Sequence, residues 1–384
     1  MKILTLCYEY PPVGGGGGRV AAAVAEGLAA RGHEVAVVTA GMSNLPRQTM
    51  INGVQVHRPR SFRKRQERCT VFEMGLYLIT SFSKALWIAW TGKIDVIHAH
   101  FIVPTGILAF AVSMLSRKPY VLTAHLGDVP GGVPEQTNGL FAIVKPIAKL
   151  LVKKASDITA VSTFVSDLVF ESFGRIPKRI LNGIKLDDQP KDIMKHEVLT
   201  FIMVGRMSVQ KNPLLALEAL ARVPTDVPWH LHLVGDGPLL GQIREFVSKH
   251  GLHEHVTFHG WVESAKVQQL LRESDVMLMP SLSEGLPVAA IEALKYGVAI
   301  VGGPIPGLKD VLIHANTGIV VDLNIDHVQS SIIRIAKDRA LLSALRVSAL
   351  SHARAFNLQK SINEYEECLA ACYQTGNLSR GHLL

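Results

Sequence analysis

Glu284 and Glu292 are two carboxylates in a stretch of small and apolar residues that follows a predicted buried strand at 276–279. Gly285 and Pro287 separate Glu284 from an apolar helix, and Glu292 lies on the first turns of that helix. A helix N-terminus offers free backbone N–H groups, which favour an anion such as a diphosphate. Carboxylates only accept hydrogen bonds and can bind sugar or ribose hydroxyls in pairs. The stretch therefore predicts a site for a diphosphate that carries hydroxyl-rich groups, with two surface glutamates as the alternative.

Two basic side chains follow another predicted strand, at 199–204. Arg206 and Lys211 flank the loop where that strand ends, and Gly205 precedes them. Two fixed cations at a strand end can neutralise a diphosphate and the charge that grows on it as it leaves. The pair is a candidate for leaving-group stabilisation, and two solvated surface cations are the alternative.

Five consecutive glycines, residues 14–18, separate the first predicted strand from a helix expected at 19–31. A dinucleotide-binding fingerprint needs an acidic residue at the end of the second strand to hold a ribose. That strand ends Val38-Thr39-Ala40-Gly41 without a carboxylate, which disfavours nicotinamide and flavin enzymes. The glycine backbone is instead predicted to lie against a diphosphate or an acceptor, and a flexible turn is the alternative.

Two histidines stand at strand ends in the first half of the chain. His100 closes the apolar segment 95–99, and His125 and Asp128 follow the strand at 120–123. Doubly wound sheets bind ligands at the carboxyl ends of their strands. His125 is therefore expected to hold a hydroxyl or a developing charge, and His100 and Asp128 are candidates for acceptor contacts. A satisfied structural histidine is the alternative for either ring.

Strands and helices alternate in two successive series, which predicts an α/β fold with two doubly wound, Rossmann-like domains. Residues 1–185 form the first domain and residues 186–357 the second, with the boundary in the polar stretch 184–197. A length of 384 residues also exceeds one typical core. The carboxyl ends of the two sheets are expected to face each other across a ligand-binding cleft.

These motifs together resemble the retaining nucleotide-sugar glycosyltransferases of family 4, which have the GT-B fold. The resemblance covers nearly the whole chain and includes two further segments, Val234-Gly235-Asp236-Gly237-Pro238 and Phe258-His259-Gly260-Trp261-Val262. The chain departs from the family pattern after Asn182-Gly183-Ile184, where Lys185 replaces an aspartate of the hinge turn. The resemblance also implies that residues 358–384 pack back on the first, acceptor-binding domain, while the second domain binds the donor.

The resemblance implies a role for each motif. Glu292 would hold the ribose hydroxyls, and the amides of Trp261 and Val262 would read the edge of the base. The residues implied in catalysis are His125, Arg206, Lys211 and Glu284, and those implied in acceptor binding are His100 and Asp128. The implied donor-binding set is Gly16, Gly17, Gly18, Gly205, Arg206, Lys211, Gly235, Trp261, Val262, Glu284, Gly285, Leu286, Pro287 and Glu292.

The implied reaction moves a hexosyl unit from a nucleotide-diphosphate sugar to a glycan or lipid-linked acceptor in polysaccharide or glycolipid synthesis. The anomeric configuration would be retained without a protein nucleophile, and a UDP-sugar is expected in preference to GDP-mannose. Two alternatives stay open. One is a nucleotide-sugar epimerase on a similar fold, and the other is a non-catalytic subunit that binds nucleotide sugar.

No metal or other cofactor is expected. The sequence contains no Asp-x-Asp and no His, Cys or Asp cluster with ligand spacing, so cations and a helix N-terminus are predicted to neutralise the diphosphate. Cys368 and Cys372 are predicted to be packing residues, and the cysteine pattern favours a reduced, cytoplasmic compartment. Aromatic residues do not interleave with the basic clusters, which argues against nucleic acid as a partner.

The positive charge lies in the first half of the chain. Residues 1–185 carry 22 Lys and Arg against 11 Asp and Glu, a net of +11, whereas residues 186–384 carry 18 against 21, a net of −3. No spanning helix or signal peptide is expected. Because of this positive charge, the first domain is predicted to meet an anionic partner, either the inner face of a membrane or an anionic glycan. The cations assigned to this contact are Lys145, Lys149 and Lys153 on one helix, and Arg58, Arg60, Arg63, Lys64, Arg65 and Arg68 in one loop.

Overall fold

The computed structural model describes residues 1–64, 69–186 and 198–381. The chain divides into two compact units, one formed by Met1–Gly183 with Leu358–Leu384 and the other by Ile184–Asn357. We call them unit 1 and unit 2. The division falls two residues before the boundary expected from the sequence, and most of the expected linker, residues 187–197, lies outside the described residues.

Unit 1 is built from short apolar strands that alternate with helices. Their bounds are β1 (Lys2–Leu6), α1 (Gly16–Ala30), β2 (Glu34–Val38), β3 (Gln48–Ile51), β4 (Val54–His57), α2 (Val71–Thr91), β5 (Val96–His100), α3 (Thr105–Ser116), β6 (Tyr120–Ala124), α4 (Pro134–Lys154), β7 (Asp157–Ala160), α5 (Thr163–Phe173) and β8 (Lys178–Arg179).

The strands of unit 1 form one sheet in the order β3-β4-β2-β1-β5-β6-β7-β8. All neighbours are parallel except β3 and β4. The direction of winding reverses between β1 and β5, and such a switch point is where doubly wound sheets bind ligands. β5 and β6 are buried along their whole length, as expected of strands with helices on both faces of the sheet.

Helix α1 begins at Gly16, three residues earlier than the sequence predicted, so the last three glycines of the run form its first turn and not a loop. A Cβ on Gly17 would lie 2.5 Å from Cζ of Phe101. The first turn of α1 therefore approaches the end of β5 more closely than a larger residue allows. Gly17 and Phe101 are far apart in sequence, so the run of five glycines alone does not reveal this contact.

Unit 2 repeats the same construction. Its elements are β9 (Leu199–Val204), α6 (Pro213–Leu220), β10 (Trp229–Val234), α7 (Leu240–Lys249), β11 (Val256–Gly260), α8 (Ser264–Arg272), β12 (Val276–Met279), α9 (Val288–Lys295), β13 (Ala299–Gly302), β14 (Gly318–Val320), α10 (Ile325–Lys337) and α11 (Arg339–His352).

The sheet of unit 2 has the order β11-β10-β9-β12-β13-β14, and all of its neighbouring strands are parallel. The winding reverses between β9 and β12, which puts the switch point of this unit between those strands. The predicted α/β fold with two doubly wound parallel sheets is confirmed.

The last helix, α12 (Leu358–Gly381), belongs to unit 1 and packs against α1, β5 and β6. Ile362, Tyr365 and Leu369 are buried, because their spacing places them on one side of the helix. Arg31, the residue that follows α1, donates to Glu366 Oε2 at 2.6 Å, so an ion pair joins the end of α1 to α12.

Helix α2 is long and apolar enough to cross a membrane when only length and composition are considered, although the sequence was not expected to contain a spanning helix. One side of it packs against α3, β1 and β2. Tyr77, Ser81 and Ala85 on that side are buried. Its N-terminus carries a capping box, in which Thr70 and Glu73 satisfy each other's backbone N–H groups.

Candidate active site

Two loops meet at the switch point of unit 2. The loop after β9 contains Arg206 and a 3-10 turn at Val209–Lys211, and the loop after β12 leads into α9. Gln210 joins them, because its carbonyl accepts from Leu282 N at 2.8 Å and its Nε2 donates to Ser283 O at 2.9 Å. The two loops therefore hold the predicted cations and the predicted carboxylate in a fixed relation.

The Lys211 ammonium donates to Glu284 Oε1 at 2.5 Å. The side chains are 22% and 7% exposed, so neither is a freely solvated surface charge. A lysine has three N–H donors, and the contact with Glu284 occupies one of them. The pair places a cation where two further N–H groups can bind anionic oxygens, and it sets the orientation of the carboxylate.

Several polar atoms around this pair are buried without a hydrogen-bond partner in the described part of the chain. They include Arg206 Nε and the hydroxyls of Ser208, Ser281 and Ser283. A small cavity at the same strand ends is lined by Gly205, Arg206, Lys211 and Ser281, among others. Because buried polar groups are normally paired, these atoms indicate a place built for polar ligand atoms.

Helix α9 begins at Val288, as predicted, and no side chain caps it at Pro287. An uncapped N-terminus leaves N–H groups for an anion. Glu292 on this helix is 8% exposed and Glu284 is 6% exposed, and Glu292 also has an interaction partner within the protein. Both carboxylates are therefore buried, which argues against two glutamates on a wet surface. Gly285, Leu286 and Pro287 are buried between them.

The turns after β9, β10 and β11 touch through their backbones. Gly235 has φ +133°, and a Cβ there would lie 1.9 Å from Gly205 O, so only glycine fits this position. Gly235 N donates to Gly260 O at 2.8 Å. Trp261, directly after Gly260, is 52% exposed, and Val262 is half-buried. The predicted base-reading segment thus lies at the same edge of the sheet as the glycine turns.

The switch point of unit 1 brings Gly17, His100 and His125 together. His100 Nδ1 lies 3.3 Å from His125 Nε2, so one ring donates to the other. The ring of Phe101 lies 4.4 Å from that of His125, and a Cβ on Gly17 would be 3.4 Å from His125 Nδ1. Gly16–Gly18, predicted to bind the donor, therefore belong to unit 1 and lie beside the residues predicted to contact the acceptor.

Asp128 is 2% exposed, and its carboxylate is occupied by backbone groups. One oxygen accepts from His125 N at 2.7 Å, and the other accepts from Ile102 N. Burial raises the pKa of Asp128 to about 8, while these N–H groups act in the opposite direction. The geometry favours a positioning role, in which Asp128 holds the His125 loop against the end of β5, over the predicted contact with an acceptor.

His98 is a buried polar residue of this region that the sequence reasoning did not assign. Its Nε2 lies 2.8 Å from Thr123 Oγ1, which lies 2.8 Å from Thr159 Oγ1. His98 and His100 alternate on β5, which places both rings on one face of the sheet, and that spacing was the available signal. Burial lowers the pKa of His98 and of His125 to about 3 and that of His100 well below its usual value, so the rings are neutral near pH 7.

The structure also brings together a set of metal-ligating groups that sequence spacing did not reveal. Asp157, Cys368 and Cys372 offer ligand atoms within 4.8 Å of one another. Among the described residues, this is the group of three such side chains that lies close enough to hold a metal ion. Asp157 is 211 positions before Cys368, so spacing gave no signal. All three residues belong to unit 1, and none is among the predicted donor-site residues.

The basic loop before α2 is less exposed than its predicted role at a charged surface requires. Arg58 and Arg63 are 3% and 2% exposed, and Arg63 Nη2 lies 3.6 Å from Glu9 Oε1. These two arginines are therefore internal groups and cannot form part of an exposed cationic surface, because Arg58 donates to Pro11 O and Arg63 to Tyr8 O in the segment after β1. Arg60 and Lys64 are exposed, as are Lys145, Lys149 and Lys153 on α4, whereas Arg65 and Arg68 lie outside the described residues.

Two family models cover most of the chain. The model for Glycosyltransferase Family 4 matches residues 14–188, and the model for Glycosyl transferases group 1 matches residues 186–351. The N-acetyl-alpha-D-glucosaminyl L-malate synthase of Bacillus anthracis is 26% identical over 385 residues, which is 95% of this chain and 96% of that protein. The UDP-Gal:alpha-D-GlcNAc-diphosphoundecaprenol alpha-1,3-galactosyltransferase of Escherichia coli is 25% identical over 297 residues, 72% of this chain and 75% of that protein.

Solved glycosyltransferase structures share the fold. Sucrose-phosphate synthase from Thermosynechococcus elongatus matches with a TM-score of 0.82 at 19% identity, over 98% of this chain and 100% of that one. Anabaena HepE in complex with UDP-glucose matches with a TM-score of 0.76 at 19% identity, over 97% and 100%. The two family models, the relatives and this shared fold agree, and the chain belongs to glycosyltransferase family 4, with the GT-B fold.

Proposed function

We propose that this glycosyltransferase is a retaining hexosyltransferase that uses a UDP-sugar in preference to GDP-mannose. Two of the similar proteins support a UDP-sugar, since the Escherichia coli relative is named for UDP-Gal and HepE was solved with UDP-glucose. The acceptor would be a glycan or a lipid-linked glycan, and the diphosphoundecaprenol-linked acceptor in the name of the Escherichia coli enzyme supports the lipid-linked version.

The observation that carries the proposal is the Lys211–Glu284 pair beside the unpartnered Nε of Arg206. The diphosphate of the donor would lie between these two cations and the uncapped N-terminus of α9. Glu284 and the backbone of Gly285–Pro287 would bind the hydroxyls of the transferred sugar. Glu292 would accept from the ribose hydroxyls, and the backbone at Trp261 and Val262 would contact the uracil.

In the chemical step, the C1–O bond to the diphosphate breaks and its electron pair leaves with the phosphate oxygen. The acceptor hydroxyl forms its bond to C1 from the same face, and its proton passes to the departing diphosphate. Configuration is then retained without a covalent enzyme intermediate. Arg206 and Lys211 contribute because the charge they face is larger in the transition state than in the bound donor.

His125 would contact the transferred sugar or the acceptor as a neutral ring. At neutral pH a buried imidazole with a lowered pKa offers one donor and one acceptor and no positive charge. The hydrogen bond between His100 and His125 couples the tautomers of the two rings, because one ring must accept when the other donates. The role proposed for His125 is therefore hydrogen bonding to a hydroxyl, not proton transfer as an imidazolium.

The proposed enzyme needs no metal ion and acts in the cytoplasm. Two cations and a helix N-terminus supply the positive charge that a divalent ion would otherwise bring to the diphosphate. Turnover should therefore continue in excess EDTA. An enzyme that EDTA inactivates and Mg²⁺ or Mn²⁺ restores would overturn this part of the proposal.

The test begins with thermal shifts in the presence of UDP-glucose, UDP-galactose, UDP-N-acetylglucosamine and GDP-mannose, since a bound donor stabilises the folded protein. The best donor is then incubated without an acceptor, and the first anomer of the sugar released by slow hydrolysis is followed by proton NMR. Release of the α-anomer from an α-linked donor supports retention, and release of the β-anomer overturns it. Stabilisation by GDP-mannose alone would overturn the UDP assignment.

The same incubation separates the two alternatives. An epimerase would convert the donor into a different nucleotide sugar without releasing free sugar. A non-catalytic subunit would bind the donor and leave it intact, even over long incubations at high protein concentration. Either outcome would overturn the proposed reaction while leaving donor binding in place.

A further inference from the structure

The outer side of α2 carries a stripe of large apolar side chains, interrupted by the exposed Ser83 between Ile79 and Trp87. Phe72 and Ile79 are each 74% exposed, Trp87 is 54% exposed and Trp90 is 59% exposed, with the half-buried Leu76 between the first two. Successive members are three, four or eight positions apart, which places them on one side of the helix. Two of the four tryptophans of the chain therefore stand next to each other on an exposed face.

The stripe continues onto α3. Trp90 Nε1 lies 3.5 Å from Leu115 O, and α2 and α3 pack side by side. Met114 is 66% exposed and Leu115 is 55% exposed. We call the surface formed by Phe72, Ile79, Trp87, Trp90, Met114 and Leu115 the α2–α3 face. Six large exposed apolar side chains on two adjacent helices are unusual on a protein that faces only water.

Three cations lie at the C-terminal part of the α2–α3 face. Lys84 Nζ lies 4.1 Å from the centre of the Trp87 ring, and Lys93 and Arg117 are exposed in the turns that follow α2 and α3. The single acidic residue of α2 is Glu73, which is 8% exposed and bonded to Thr70, and α3 has none. The face therefore combines apolar and aromatic side chains with a basic edge.

The other side of α2 is anchored in the fold. Tyr77, Ser81, Ala85 and Ile88 are buried between α2 and the rest of unit 1. The helix would have to leave the sheet to cross a bilayer, whereas its exposed stripe can enter one without any rearrangement. This geometry is that of a helix lying in the plane of an interface.

We propose that the α2–α3 face is a docking surface for a bilayer with anionic headgroups. Indole rings favour the boundary between headgroups and acyl chains, and the apolar side chains would enter that boundary beside them. Lys84, Lys93 and Arg117 would meet the headgroups, each contributing through charge. A protein partner or a second copy of the chain is less well matched, because the basic edge has no acidic counterpart on the face itself. The proposal depends on neither the reaction nor the donor.

This surface differs from the one inferred from the sequence. Lys145, Lys149 and Lys153 on α4 are exposed, with Ile147 and Leu150 about half exposed among them. In the part of that helix whose side chains are described, residues 144–154, four lysines and two large apolar side chains are exposed, whereas the α2–α3 face exposes six large apolar side chains. Docking through α4 would depend mainly on charge and would be abolished by high salt, whereas docking through α2 and α3 would keep a salt-resistant part.

The test uses the full chain and co-sedimentation with phosphatidylcholine vesicles, with and without phosphatidylglycerol. The Trp87→Ala/Trp90→Ala/Ile79→Ser variant should lose at least about tenfold in partition onto anionic vesicles, since it removes most of the inserted apolar area. Ile176→Ser is the matched control, because Ile176 is also an apolar side chain of unit 1 that is 76% exposed. Both variants should keep the melting temperature and the thermal shift with UDP-sugar.

A second measurement, fluorescence quenching of the wild-type protein, does not depend on how the variants fold. Brominated lipids should quench the fluorescence of the wild-type protein, and the quenching should fall in a Trp87→Phe/Trp90→Phe variant. The proposal is overturned if the wild type does not pellet with anionic vesicles, or if Lys145→Glu/Lys149→Glu/Lys153→Glu abolishes binding while the α2 variant binds normally. Concentration-dependent dimers that disappear in the α2 variant, without vesicle binding, would assign the face to a second copy and also overturn it.

Discussion

Lys211 and Glu284 are 73 residues apart in sequence, yet Lys211 Nζ lies 2.5 Å from Glu284 Oε1. The contact joins the loop after β9 to the loop after β12 at the switch point of unit 2. A 7% exposed carboxylate needs a partner, and the lysine provides it while keeping two other N–H donors. The pair thus links two tasks proposed for this site. Lys211 would neutralise a diphosphate, and it orients the Glu284 carboxylate that would bind the hydroxyls of the sugar.

Replacing Lys211 by alanine should lower kcat far more than it raises KM for the donor. The charge on the diphosphate increases as the bond to C1 breaks, so the lost contact is stronger in the transition state, and a loss of about 100-fold in kcat is expected. Steady-state kinetics with the preferred UDP-sugar measures both constants. Lys249→Ala is the control, because Lys249 is an exposed lysine of unit 2. A normal kcat with a raised KM would assign Lys211 to ground-state binding alone.

Loss of Lys211 also leaves Glu284 buried without its cation, so stability must be separated from catalysis. The melting temperature of Lys211→Ala should fall, because an unpaired buried charge is destabilising. Lys211→Ala/Glu284→Gln should recover most of that loss and should not recover kcat. Recovery of both would indicate that the alanine variant was slow only because it was poorly folded.

Glu292→Gln should weaken donor binding and leave the fold intact. The substitution preserves shape but replaces a charged acceptor by a neutral amide, which costs about 1–3 kcal/mol, or roughly 5- to 150-fold in Kd. Titration calorimetry with the preferred UDP-sugar measures the change, and Glu254→Gln, at an exposed position of unit 2, is the control. Equal affinities of the two variants would contradict the assignment of Glu292 to the ribose.

The arrangement of the candidate site in unit 2 could be predicted from the sequence because several of its residues lie in loops directly after strands. Arg206, Lys211 and Glu284 lie in loops that follow strands of one parallel sheet, so the rule that strand ends share an edge placed them near each other. The start of α9 at Val288 followed from Pro287 and the apolar run behind it. What the sequence did not provide was the pairing of Lys211 with Glu284, because side-chain contacts over 73 residues depend on how two loops pack.

Other features of the structure depend on which side chains are buried, and the periodicity of apolar residues in the sequence indicates burial only indirectly. Arg58 and Arg63 belong to a basic run that reads as a solvated loop, yet both are internal. Cys368 and Cys372 read as packing residues on one helix, and only the return of α12 to unit 1 places Asp157 beside them. The exposed stripe of α2 was visible as an apolar run, but a buried helix gives the same pattern until its neighbours are known.

Gly17→Ala should destabilise unit 1, whereas Gly75→Ala should not. A Cβ at position 17 would lie 2.5 Å from Phe101 Cζ, so the ring must move, at a cost of about 1–3 kcal/mol for overpacking. No atom lies within 4 Å of a Cβ built on Gly75, which lies inside α2, where alanine is favoured over glycine. Urea unfolding compares the two variants with the wild type. Equal stability of both would show that the first turn of α1 is not closely packed on β5.

The buried histidines of unit 1 should make the protein less stable as the pH falls below about 6.5, the unperturbed pKa of histidine. Burial lowers the pKa of His98 and of His125 to about 3, so between these values the unfolded chain binds protons that the folded chain does not. The free energy of unfolding therefore decreases with decreasing pH across this window, by about 1.4 kcal/mol per pH unit for each such proton. Asp128, whose pKa burial raises to about 8, acts in the opposite direction and offsets part of this slope.

His98→Gln isolates one of these contributions, because glutamine does not titrate and can still bond to Thr123. Urea unfolding between pH 4 and pH 7 should give a slope for His98→Gln that is smaller than that of the wild type by about one proton. The absolute stability of the variant does not affect this comparison, since only the dependence on pH is read. His253→Gln, at an exposed position of unit 2, should keep the wild-type slope. Identical slopes for wild type and His98→Gln would mean that His98 takes up its proton in the folded protein as readily as in the unfolded chain.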